Sequence, residues 1–158
     1  MTHRPGTGFG PQVLLALLAG FVLTLTVATP PALRAQAAQE KYSVRLEWVP
    51  IAGTDRVSGK GAATAALSGK ALAISGTFEG LGGPATIMRV HQGIAKGARG
   101  RAMTDIPVPK ATSGSFMATV TLTDEQVAAL RQGKLYLQLH GDKGLAPDGA
   151  NLWGWFLR

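Results

Sequence analysis

The chain predicts an all-β fold: an antiparallel β-sandwich of seven or eight short strands with one short helix. Three observations predict it. First, segments of six to nine residues with alternating apolar and polar side chains recur along the chain, with Gly- or Pro-containing turns between them. Second, only one segment carries both a helix start and a helix stop: Thr123 with Gln126 three residues on, and Gly133 beyond. Third, there is no cysteine, no repeat of fixed period and no composition break that marks a second domain. A chain without disulfides in an oxidising compartment must be held by packing, which suits a two-layer core.

The elements follow in order. His3 and Arg4 precede an apolar run, Val13–Thr29, which Pro30 and Pro31 end before the small-residue motif Ala35-Gln36-Ala37. This is a secretory signal with cleavage after Ala37, so residues 1–37 are the signal and 38–158 the domain. A retained anchor is the rival reading, but the run falls short of the roughly 20 residues a span needs. After a polar stretch, Ala38–Lys41, the residues Val44, Leu46 and Trp48 share one strand face, opposite Ser43, Arg45 and Glu47. Pro50–Ser58 reads as a loop. Lys60–Leu67 and Ala71–Phe78 flank a hairpin turn at Ser68-Gly69-Lys70, and the neighbouring glycines argue against a helix in the alanine-rich stretch. A turn at Gly80–Pro84 leads to a strand at Ala85–Gln92, and Gly93–Arg101 is a basic loop. A strand at Phe116–Leu122 precedes the helix, whose apolar face is Val127, Ala128 and Leu130, with Ala129 beside it. Leu135, Leu137 and Leu139 then alternate with Tyr136, Gln138 and His140 as a half-buried strand. A Pro-Asp-Gly turn at Pro147–Gly149 leads to the last strand, Leu152–Leu157.

Of the 16 Lys and Arg, Arg4 and Arg34 leave with the signal, whereas all 9 acids stay, so the domain carries about +5. The charge reads as spread along the sequence. No Lys/Arg run is interleaved with aromatics, which argues against nucleic acid as a partner. The lack of cysteine excludes thiolate metal sites and thiol catalysis.

Three features together resemble the CHRD domain, first noticed in chordin and common in bacterial secreted proteins. One is the unit Leu122–His140. Another is Leu81–Gly93, whose MRVHQG has His91 and Gly93 in place and Arg89 where the family often has a second histidine. The third is the ending Gly149…Gly154, with Trp153 where an arginine commonly stands. The resemblance runs from about Tyr42 to Arg158. It implies a Greek-key β-sandwich, superoxide-dismutase-like or immunoglobulin-like, and an exported compartment, secreted or periplasmic. It implies no reaction.

The chemistry-bearing residues are few. His91 and His140 are the two histidines of the mature domain. Arg89 and His91 point one way on their strand, as do Gln138 and His140 on theirs, so neighbouring strands would bring the imidazoles together. Neutral imidazole suits copper or zinc, but two ligands fall short of the three or four a stable site wants. Asp105, Glu79, Asp142 or water would have to complete it beside the charge of Arg89. The expectation is a structural pair that does not hold metal tightly, and no cofactor. No Gly-x-Ser-x-Gly elbow supports a triad around His140 and Asp142. Asp124 and Glu125 suit the first turn of a helix, and the glycines of Gly93–Gly100 lack phosphate-loop spacing. Trp153 and Trp155 form either an aromatic platform or, as is commoner in sandwiches, part of the packing.

The basic loop remains. Arg89, Lys96, Arg99 and Arg101 fall within thirteen positions that hold no acid. Arginines there suit carboxylate, phosphate or acidic glycan groups, and loops on a rigid sandwich are where binding sits. The sequence therefore predicts a non-enzymatic binding or interaction module using loops at one end of the sandwich. Its candidate residues are Arg89, His91, Lys96, Arg99, Arg101 and His140. Its partner is a protein or an acidic ligand of the cell envelope, with no nucleic acid and no membrane span after cleavage. The alternative is a periplasmic copper or zinc protein built on His91 and His140.

Overall fold

A computed structural model of the chain describes residues 39–48, 57–145 and 149–158. Residues 1–37, where the sequence leads one to expect a signal, lie outside them, as do most of the Pro50–Ser58 loop and all but Gly149 of the Pro147–Gly149 turn. The described strands are β1 (Glu40–Leu46), β2 (Lys60–Ser68), β3 (Ala71–Glu79), β4 (Ala85–Gly93), β5 (Gly100–Ile106), β6 (Gly114–Thr121), β7 (Leu135–Leu145) and β8 (Ala150–Trp155), with helix α1 (Asp124–Arg131) between β6 and β7. They form two antiparallel four-stranded sheets in the orders β1-β2-β3-β6 and β5-β4-β7-β8. Strand β6 returns beside β3 and β7 beside β4, the crossed connections of a Greek key. The even split differs from the four-and-three division of a constant-type immunoglobulin domain.

Alternation builds the core between the sheets. Tyr42, Val44 and Leu46 of β1 face Ala63, Ala65 and Leu67 of β2 and Leu72, Ile74 and Phe78 of β3, all buried. Met88 and Val90 of β4 and Leu135, Leu137 and Leu139 of β7 supply the other layer. One side of the sandwich is closed where β1 crosses to β8. Ser43 and Leu157 exchange backbone hydrogen bonds of 2.7 and 2.9 Å there, and Glu47 and Trp153 exchange a second pair of 3.0 and 2.8 Å.

Helix α1 forms as its caps require. The Thr123 side-chain oxygen accepts from the Gln126 backbone N–H at 3.2 Å, and the Gln126 amide oxygen accepts from the Thr123 N–H at 2.9 Å. Gly133, at φ 68°, turns the chain out of the helix, and the Gly133 and Lys134 amides donate back to Leu130 and Ala129 carbonyls at 2.9 Å.

Several expectations are corrected. Trp48 lies past the end of β1 and is 47% exposed, so the buried face of that strand is Tyr42, Val44 and Leu46. Ala129, not Ala128, is on the buried face of α1. The last strand stops at Trp155, after which Phe156 turns inward while Leu157 is exposed. Strand β5 takes Gly100 and Arg101 from what reads in sequence as loop. Strand β7 is buried on both faces from Leu135 to His140, because it is a central strand between β4 and β8.

Candidate binding surface

The outer face of the second sheet is ordered in cross-strand rows, since residues directly opposite on antiparallel strands project to the same side. His91 of β4, Tyr136 of β7 and Trp155 of β8 form one row. Their rings stack in series, His91 on Tyr136 at 4.8 Å and Tyr136 on Trp155 at 5.1 Å between centroids. The next row is Asp105, Arg89, Gln138 and Trp153 across all four strands. Arg89 Nε lies 2.8 Å from Asp105 Oδ1, so this guanidinium is spoken for. Ile87, His140 and Ala150 make the third row.

This register separates the two histidines. His140 stands opposite Ile87 and His91 opposite Tyr136. The two positions are offset by four residues along the strands, about 14 Å at about 3.4 Å per residue. The two imidazoles therefore do not stand side by side across the sheet, contrary to the expectation that they meet. His91, 8% exposed, instead places Nδ1 3.3 Å from the Gly100 carbonyl oxygen. Among the described residues no group of three or more His, Cys, Asp or Glu comes together. Trp153 is buried and Trp155 half-buried, each inside the packed layer, so the tryptophans pack rather than present an open platform.

The basic loop is folded onto this layer. Tyr136 Oη accepts from the Gly100 N–H at 3.2 Å and donates to the Gly100 carbonyl at 3.3 Å. The Arg99 guanidinium sits 5.8 Å over the Trp153 ring. Gly93 opens the loop because a Cβ there would collide with the Ala98 carbonyl oxygen, and its N–H donates to the Lys134 carbonyl at 2.8 Å. That bond joins the loop to the turn after α1. Gln92, Ile94, Arg101, Glu125, Ala128 and Lys134 line the groove between them.

The strand registers bring the start of β1, the β2–β3 turn, the β4–β5 loop, α1, the start of β7 and the end of β8 to one end of the sandwich. The charge, which reads as spread out in sequence, is collected here. Lys41, Lys70, Lys96, Arg99, Arg101, Arg131, Lys134 and Arg158 stand against Glu40, Asp124 and Glu125, five more cations than acids. Elsewhere among the described residues the excess is one. Three of these cations are paired: Lys70 with Asp124, and Arg131 and Arg158 with Glu40. Lys41, Lys96, Arg99, Arg101 and Lys134 have no ion-pair partner among the described residues. Sequence reasoning found three of these five, and it missed Lys41 and Lys134 because they come from other segments of the chain.

Glu40 is the knot of this end. Its Oε1 accepts from Arg131 Nη2 at 2.6 Å and Nε at 3.1 Å, and its Oε2 accepts from Tyr42 Oη at 2.9 Å and from Arg158 Nη2. The Arg131 hydrogen bonds first, and the Tyr42 hydroxyl next, hold its carboxyl at about 2 against the usual 4.5. A depressed carboxylate stabilises the fold fully above the unfolded value near 4.5, and that share is lost as pH falls toward about 2. Glu40→Gln is therefore expected to lower the melting temperature above pH 5 and to converge with wild type near pH 2. Thermal melts across that range check it; parallel curves at every pH would mean that the knot contributes nothing.

The family model described as the CHRD domain matches residues 42–149. Comparison with curated proteins and with solved structures finds no match.

Proposed function

Since the chain belongs to the CHRD domain family, we propose that it is an exported, non-enzymatic binding module, working without a cofactor, for an anionic partner in the cell envelope, secreted or periplasmic. Export is supported by the leader sequence ending at Ala35-Gln36-Ala37. Binding at one end is supported by a single observation above the rest: Lys41, Lys96, Arg99, Arg101 and Lys134 all stand at that end with no ion-pair partner among the described residues. Such a field raises the local concentration of anions and steers them to the surface. The loop carrying Lys96 and Arg99 is held by Tyr136 and Gly93, so little order has to be gained on binding. Among the described residues no helix is long and apolar enough to cross a membrane.

The exported form is expected to begin at or near Ala38, which N-terminal sequencing reads. Titrated with soluble polyglutamate, it is expected to bind in a salt-dependent way, with Lys96→Glu/Arg101→Glu losing about tenfold or more in affinity. A wild-type protein that ignores the polymer, or a double variant that binds it equally, would refute the assignment.

A further inference from the structure

We infer that the anionic partner is a phospholipid surface, against which the β4–β5 loop lays Ile94 among its cations. This rests on the reading of the basic end as a binding surface and adds what covers it. Ile94 is 81% exposed on the loop that carries Lys96 and Arg99, and it lines the same groove as Arg101 and Lys134. Leu157, also exposed, lies across the neighbouring groove with Lys96 and Arg158. A soluble acidic polymer would engage the cations and leave Ile94 in water. A bilayer interface takes both, the apolar side chain at the acyl boundary and the cations among anionic headgroups.

The exported form, expected to begin near Ala38, holds every described strand, the helix and the described core, and it is the form to test. Co-sedimentation with vesicles of phosphatidylglycerol and phosphatidylcholine is expected to exceed that with phosphatidylcholine alone by about tenfold or more, and to weaken with salt. Ile94→Ser is expected to weaken vesicle binding about fivefold, a clearly larger loss than it causes in polyglutamate binding. Met117→Ser, which removes a 79% exposed apolar side chain from the outer face of the other sheet, is expected to change neither. The inference fails if phosphatidylglycerol gives no gain, if Ile94→Ser binds vesicles as wild type does, or if Met117→Ser loses as much. Binding to polyglutamate without binding to vesicles overturns the lipid surface and keeps the anion-binding module. Binding to neither overturns both.

Discussion

Gly154→Ala is expected to destabilise the domain by about 3 kcal/mol, at the upper end of what overpacking one methyl costs. The reason lies in the seam where the sheets join. Backbone hydrogen bonds tie β1 to β8 on both sides of Gly154, at Ser43–Leu157 and at Glu47–Trp153. Between these clamps the β1 backbone passes directly over Gly154. A Cβ there would lie 2.5 Å from Val44 Cγ1 and closer still to the Arg45 carbonyl oxygen. The oxygen belongs to the backbone, so no rotamer change relieves the clash. Either the seam opens or β1 shifts, and β1 carries Tyr42, Val44 and Leu46 of the core. Urea denaturation should show a lower midpoint with an unchanged slope. A loss under about 1 kcal/mol would mean that the sheets separate here at little cost. The same geometry gives a physical reason for the Gly149…Gly154 pattern, since Gly149 at φ 73° makes the turn into β8 and Gly154 lets β1 cross it.

What could be read from the sequence was what is decided locally. The capping box of Thr123 and Gln126 and the turn at Gly133 depend on residues within a few positions of one another, and they stand as expected. The alternation in β7 correctly gave a strand and its two faces. It misjudged the polar face, because Tyr136, Gln138 and His140 look like solvent-facing residues but stand buried on a central strand between β4 and β8. Strand β5 went unread because Gly100–Ile106 is an edge strand of mixed residues with Ile106 alone buried. Trp48 was placed by extending an alternation past the point where pairing with β2 stops. The histidines were misplaced for a different reason. Each is on the strand expected, and the strands are neighbours, but the offset between β4 and β7 is a long-range fact with no local signal. The concentration of charge at one end escaped notice similarly, since it is made by six chain segments that the topology gathers.

Tyr136→Ala is expected to cost about 3–5 kcal/mol, the range for removing a buried aromatic ring. Tyr136 is 1% exposed and is gripped on both faces, by His91 on one side and Trp155 on the other. Its removal would leave two rings without their partner and open a void in the layer beneath the basic loop. The hydroxyl has a separable role. It closes on both the N–H and the carbonyl of Gly100, the residue where the loop re-enters the sheet as β5. Tyr136→Phe keeps the stack and removes those bonds, so it should cost only about 1 kcal/mol. It should nevertheless speed hydrogen exchange at the Gly100 amide, because that donor then loses its acceptor. The pair of variants divides structure from positioning. The alanine variant reads the aromatic layer through denaturation, and the phenylalanine variant reads the loop anchor through exchange. Phenylalanine should also weaken polyglutamate binding, since a loosened loop must be ordered again when it meets its partner. A phenylalanine variant with wild-type exchange at Gly100 would show that His91 and the β4–β5 pairing hold the loop without the tyrosine hydroxyl.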